Sequence, residues 1–151
     1  MSGRQQLQEL SEQLEQIDQH IQALRGEVES LNDEQSEIDE AVEAIETLES
    51  GATVQVPLGG NAFVRAEIQD IDEVIVGIGG GYAAEQTQGD AIDVLGSKQE
   101  KLDDRIAETN AEITELETEQ AQIEQQAQQL QQHQMQQQMQ QMQQGGENGG
   151  E

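Results

Sequence analysis

The sequence has no cysteine, no tryptophan, one proline, one tyrosine and one phenylalanine in 151 residues. Without cysteine there is no disulfide framework, no thiolate nucleophile and no cysteine-based metal site, as suits a reducing cytoplasm. With aromatic residues at 1%, the chain lacks the bulky side chains that fill a large globular core. Positive charge is also scarce: 6 basic residues face 32 acidic ones, the formal net charge is -26, and Lys98 and Lys101 are the only lysines. Such a surface repels nucleic acid and anionic membranes. No apolar run approaches a membrane span, and the opening MSGRQQLQEL lacks the apolar block of a signal peptide. The chain therefore reads as soluble and cytoplasmic. Acidic excess with few lysines marks either a disordered solvating chain or a protein of a salt-saturated cell, where concentrated ions screen self-repulsion. Regular apolar periodicity favours the second reading.

That periodicity is clearest over residues 4–50. Leu7, Leu14, Ile21, Val28 and Val42 take heptad a positions, and Leu10, Ile17, Leu24, Leu31, Ile38 and Ile45 take d, with Gln35 the polar interruption. A stripe this narrow is a coiled-coil seam, on a helix of roughly 65–70 Å that needs a partner. Residues 90–133 supply one: Ile92, Leu95, Leu102, Ile106, Ile113, Leu116, Ile123, Ala127 and Leu130 repeat the pattern, weakened at Gln99, Thr109 and Gln120. Two such helices pack as an antiparallel hairpin in which residue numbers summing to roughly 140 lie level. Residues 134–151, rich in Gln, Met and Gly, overhang that hairpin and are expected to be frayed or disordered.

Residues 51–89 hold four β-type runs, TVQVPL, NAFVRAEI, EVIVGI and YAAEQT, divided by glycine clusters. LGGN at 58–61 and GGG at 79–81 are turn sequences, because glycine adopts positive φ without steric cost. The stretch VIVGIGGGY also raises phosphate binding. A dinucleotide fingerprint from Gly77 would need glycine where Tyr82 stands, no helix opens at once, and no Gly-Lys-Ser/Thr follows. The glycines therefore turn hairpins. Val54, Val56, Phe63, Val64, Ile68, Val74, Val76, Ile78 and Tyr82 are too many apolar residues for two isolated hairpins to hide, so the strands predict an oligomer interface. The fold class is α+β: a long antiparallel coiled-coil hairpin with two central β-hairpins.

Other chemistry is poorly supported. His20 and His133 miss level pairing by more than three helical turns, so no metal site is expected. Asp103 with Asp104, and Glu115, Glu117 and Glu119, read as a solvated acidic face rather than an acid–base pair. No catalytic residue and no cofactor is predicted.

Long helix, two hairpins and long helix, with VPLGGNAFVRAEIQDIDEVIVGIGGGYAAE between the helices, resembles the archaeal prefoldin alpha subunits. Two hairpins rather than one point to the alpha type. The resemblance implies an ATP-independent chaperone in which two alpha subunits pair through their hairpins and four beta subunits join. The strands then close into a β-barrel platform carrying six coiled coils, and unfolded or nascent polypeptides are held and passed to a group II chaperonin. It also makes the coiled-coil tips candidates for client contact, here Leu7, Leu10, Leu14 and Leu130. Met135, Met139 and Met142 join them, since flexible thioether side chains at helical spacing suit promiscuous apolar binding. The strong acidity and the Gln/Met tail depart from the family pattern. The alternative is a structural coiled-coil tether whose hairpins serve only assembly.

Overall fold

The computed structural model of the chain describes residues 2–148. Helix α1 spans Gly3–Thr47, strands β1 to β4 span Thr53–Gly59, Ala62–Glu67, Val74–Gly79 and Tyr82–Gln86, and helix α2 spans Gln88–Asn148. Each helix begins at a side-chain cap. The Gln5 amide donates to Ser2 Oγ at 3.3 Å and the Asp90 amide to Thr87 Oγ1 at 3.2 Å, satisfying donors that a first turn leaves unpaired. At the other end of α1, Gln88 Nε2 donates to the Ile45 carbonyl at 2.6 Å and to that of Leu48 at 3.3 Å. One side chain thus ties the end of the first helix to the start of the second.

Two compact units divide the chain: residues 29–106, and the flanking segments up to Val28 and from Ala107 on. In the first unit, Leu31, Ile38, Val76, Ala91, Leu95 and Leu102 form the buried core, with Val42, Ile45 and Ile106 packed against it. In the second, Ile21, Leu24 and Ile113 are the buried cluster, flanked by Ile17, Val28 and Leu116. Nearly all are predicted heptad positions. Ala91 is a difference: it is fully buried while the expected seam residue Ile92 is only half-buried. Strand β3 contributes Val74 and Val76 to the same core, so the buried face of α2 there includes Ala91, Val94 and Leu95.

The strands form two separate two-stranded antiparallel sheets, β1–β2 and β3–β4. Both hairpins turn alike. Gly59, Gly60 and Asn61 have φ of 100°, 57° and 62°, and Gly79, Gly80 and Gly81 have 101°, 61° and 80°. Each turn follows an irregularity in register, at Pro57/Gly59 and at Gly77/Gly79. Positive φ at successive residues is what a tight hairpin turn of matching twist demands, and it fixes the role of the glycines.

Of the segment 134–151, where low complexity predicts fraying, helix α2 takes in residues 134–148, and residues 149–151 lie outside the described residues. Glutamine and methionine are good helix formers, so polar composition there is compatible with helical backbone.

Candidate interaction surfaces

In the unit of residues 29–106, the period-two pleat sorts hairpin side chains onto two faces. In β3, Val74 and Val76 turn toward the helices, and Val76 is only 5% exposed. Ile75, between them, is 70% exposed. Val76, expected at the oligomer interface, lies in this chain's own core, and Ile75, absent from the predicted set, takes the outward position. The short run VIVGIG is apolar on both faces, which hid the difference.

Of the other expected interface residues, Val56, Phe63, Val64, Ile78 and Tyr82 are exposed, and Val54, Ile68 and Val74 are half-buried. Leu58, at the first hairpin's irregularity, joins the exposed set. Val56 pairs with Val64 across β1–β2, and Phe63 pairs with Pro57, so each face of that hairpin carries apolar surface. Lys98 of α2 donates to the Gly77 carbonyl, fastening the second hairpin to the helix.

In the other unit, Leu7, Leu10, Leu14 and Leu130 are all half-buried. Leu10 and Leu130 line one shallow groove together with Gln6, Glu9, Gln13 and Gln126. Met135, Met139 and Met142 are exposed and stand apart from that groove. Arg4 lies beside Gln134, Gln137, Gln138 and Gln141, so the glutamine side of α2 faces the first turn of α1. The methionines lie about a third of a turn away around the helix.

Two polar interruptions of the seam meet each other. Gln99 Nε2 donates to the Gln35 carbonyl at 2.9 Å and to Asp39 Oδ1 at 2.6 Å, while Gln35 Nε2 donates to Asp103 Oδ1 at 2.5 Å. Neutral amides thus reach acidic residues of both helices, Asp39 and Asp103. Thr109, the third interruption, is buried and not without a partner. In the other unit Arg25 pairs with Glu117 at 3.1 Å, and His20 lies 3.8 Å from Glu112. His133 instead lies 3.3 Å from Gln137 Nε2. Among the described residues, no group of three His, Cys, Asp or Glu side chains is placed to hold a metal. Nor is any helix among them long and apolar enough to cross a membrane.

Two long helices connected by two short β-hairpins, with apolar residues such as Val56, Phe63, Ile75 and Tyr82 left exposed on the hairpins, define the architecture of this chain. The chain belongs to the prefoldin family: the family described as "Prefoldin subunit" matches residues 17–133. Among its relatives, prefoldin subunit alpha of Halorubrum lacusprofundi is 64% identical over 107 residues, covering 71% of this chain and 70% of that protein. Prefoldin subunit alpha of Halobacterium salinarum is 62% identical over 104 residues, covering 69% and 68%. A cryo-EM structure of filamentous PFD from Methanocaldococcus jannaschii matches with a TM-score of 0.65 at 25% identity, over 72% of this chain and 92% of that one. The α+β architecture agrees with that solved structure, and the alpha type with the prefoldin alpha subunits of the halophilic archaea Halorubrum and Halobacterium.

Proposed function

We propose that the chain is the alpha-type subunit of an ATP-independent holdase, assembled with beta-type subunits into the family hexamer of two alpha and four beta. Membership of the prefoldin family supports a chaperone-type role and hetero-oligomeric assembly. The observation that carries the reading is the exposed apolar set of the hairpins, Val56, Leu58, Phe63, Val64, Ile75, Ile78 and Tyr82. Two-stranded hairpins with such faces are marginal in water, and strands from neighbouring subunits would complete them into a barrel. Client binding is assigned to Leu7, Leu10, Leu14, Leu130, Met135, Met139 and Met142, and transfer proceeds to a group II chaperonin in the cytoplasm. No catalytic chemistry and no cofactor enters this reading.

The test uses the chain co-expressed with a beta-type partner in concentrated potassium chloride. The complex is expected to suppress aggregation of guanidinium-unfolded citrate synthase without ATP, and light scattering to give the mass of a hexamer. A complex of that mass without suppression would instead identify a structural tether.

A further inference from the structure

We infer that Met135, Met139 and Met142 form one oxidation site for peroxide-class oxidants, and that their conversion to sulfoxides switches off client capture without unfolding the chain. The second half of this inference rests on the holdase reading. The first half rests on where the sulfur lies. With no cysteine in the chain, there is no thiol to consume oxidant first, and the one remaining methionine, Met1, lies outside the described residues. Met135 and Met139 are each 66% exposed and Met142 is 80% exposed. Spacings of four and three residues put the three thioethers on one face of α2.

Their surroundings make the stripe unusually dependent on those sulfurs. In a chain of net charge -26, no residue from Gln125 to Gly146 is charged. Glutamine dominates the segment, so from Gln131 onward the methionines are its only large apolar side chains. None of them belongs to either buried cluster. Oxidation therefore removes apolar character from this surface and takes nothing from the core.

The chemistry is balanced. A sulfur lone pair attacks one oxygen of hydrogen peroxide, the O–O bond breaks, and the departing hydroxide takes the proton from the transferred oxygen and leaves as water. Sulfur loses two electrons and becomes a polar sulfoxide, which methionine sulfoxide reductases return to the thioether with a thiol reductant.

The experiment treats the assembled complex with hydrogen peroxide, removes the oxidant, and follows four readouts. Peptide mass spectrometry is expected to find one added oxygen on each of the three methionines. Helical circular dichroism and native mass are expected to stay unchanged, while capture of guanidinium-unfolded citrate synthase weakens by about tenfold. Incubation with sulfoxide reductases and dithiothreitol restores capture. The triple variant Met135→Leu, Met139→Leu, Met142→Leu, compared with itself before and after peroxide, is expected to show no change. Equal capture by the oxidised and untreated wild type overturns the switch and leaves the holdase reading standing. Loss of helicity or of native mass on oxidation overturns the claim that the fold is spared. Absence of capture before any oxidation overturns the holdase reading and the switch with it, and the untreated sample alone reveals that case.

Discussion

Val76 and its neighbour Ile75 differ by one methylene and one pleat, and that pleat sets their roles. Val76→Ala removes buried apolar volume from a core shared with Leu31, Leu95 and Leu102, and is expected to cost about 1–3 kcal/mol, read as a lower midpoint in thermal denaturation. Ile75→Asp places its charge on the exposed face, so the subunit should remain helical while the hetero-oligomer disperses in light scattering. An Ile75→Asp complex of unchanged mass would remove this residue from the interface. Gln99 presents the opposite case, a polar seam residue that heptad reasoning counts as a weakness. It donates to both the Gln35 carbonyl and Asp39, so Gln99→Ala is expected to destabilise by about 1–2 kcal/mol. Chemical denaturation of the complex measures it, and an unchanged midpoint would mean that the amide contributes nothing net. The heptad pattern shows where Gln99 stands. It does not show that Gln35 lies level with it, because that depends on the register of two segments 64 residues apart.

At the scale of elements, the helices are legible in the sequence because burial on a coiled-coil seam repeats at fixed spacing. Ile21, Leu24, Leu31, Ile38, Leu95, Leu102, Ile113 and Ile123 all stand at heptad a or d positions, and all are buried. The turns are legible for a different reason, since LGGN and GGG suit the positive φ values that they adopt. The facing of the hairpins is not. Strands apolar on both sides carry no signal of which side the helices cover, so the amino-acid pattern cannot sort Val76 from Ile75. The end of α2 is obscured by its composition, because a run of glutamines and methionines satisfies helix propensity yet has no apolar seam to anchor it. This division leads to a prediction for the segment. The heptad seam ends near Leu130, so deleting residues 134–151 is expected to leave native mass and hairpin assembly intact while weakening suppression of citrate synthase aggregation. Full suppression by the truncated complex would transfer client contact to Leu7, Leu10 and Leu14, the half-buried leucines of α1.

Over the whole molecule the dominant quantity is charge: 32 acidic residues against 6 basic ones in a chain with no large core to hold it together. Acids flank the seam on both helices, Asp18, Glu27, Glu34, Asp39 and Glu46 on α1, and Asp103, Glu112, Glu117, Glu119 and Glu124 on α2. Arg25 pairs with Glu117, His20 lies beside Glu112, and Glu27 is not without a partner, but a half-exposed pair such as Arg25–Glu117 is worth only about 0–1 kcal/mol. Glutamine amides bridge to Asp39 and Asp103 but neutralise neither. With 32 acidic residues against 6 basic ones, most acids can be screened only by ions from solution. At about 0.1 M salt the Debye length is roughly 10 Å, long enough for these acids to act across the interface, whereas near 1 M it is about 3 Å and the repulsion largely vanishes. Helical circular dichroism and the thermal midpoint are therefore expected to rise together with potassium chloride into the molar range. Each kcal/mol of relieved repulsion should shift the midpoint by roughly 2–4 °C for a chain of this length. Sodium chloride at equal ionic strength should act similarly if screening is the cause. A protein equally helical and stable in dilute buffer would show that its acids do not oppose each other across the seam, and that the charge serves solubility alone.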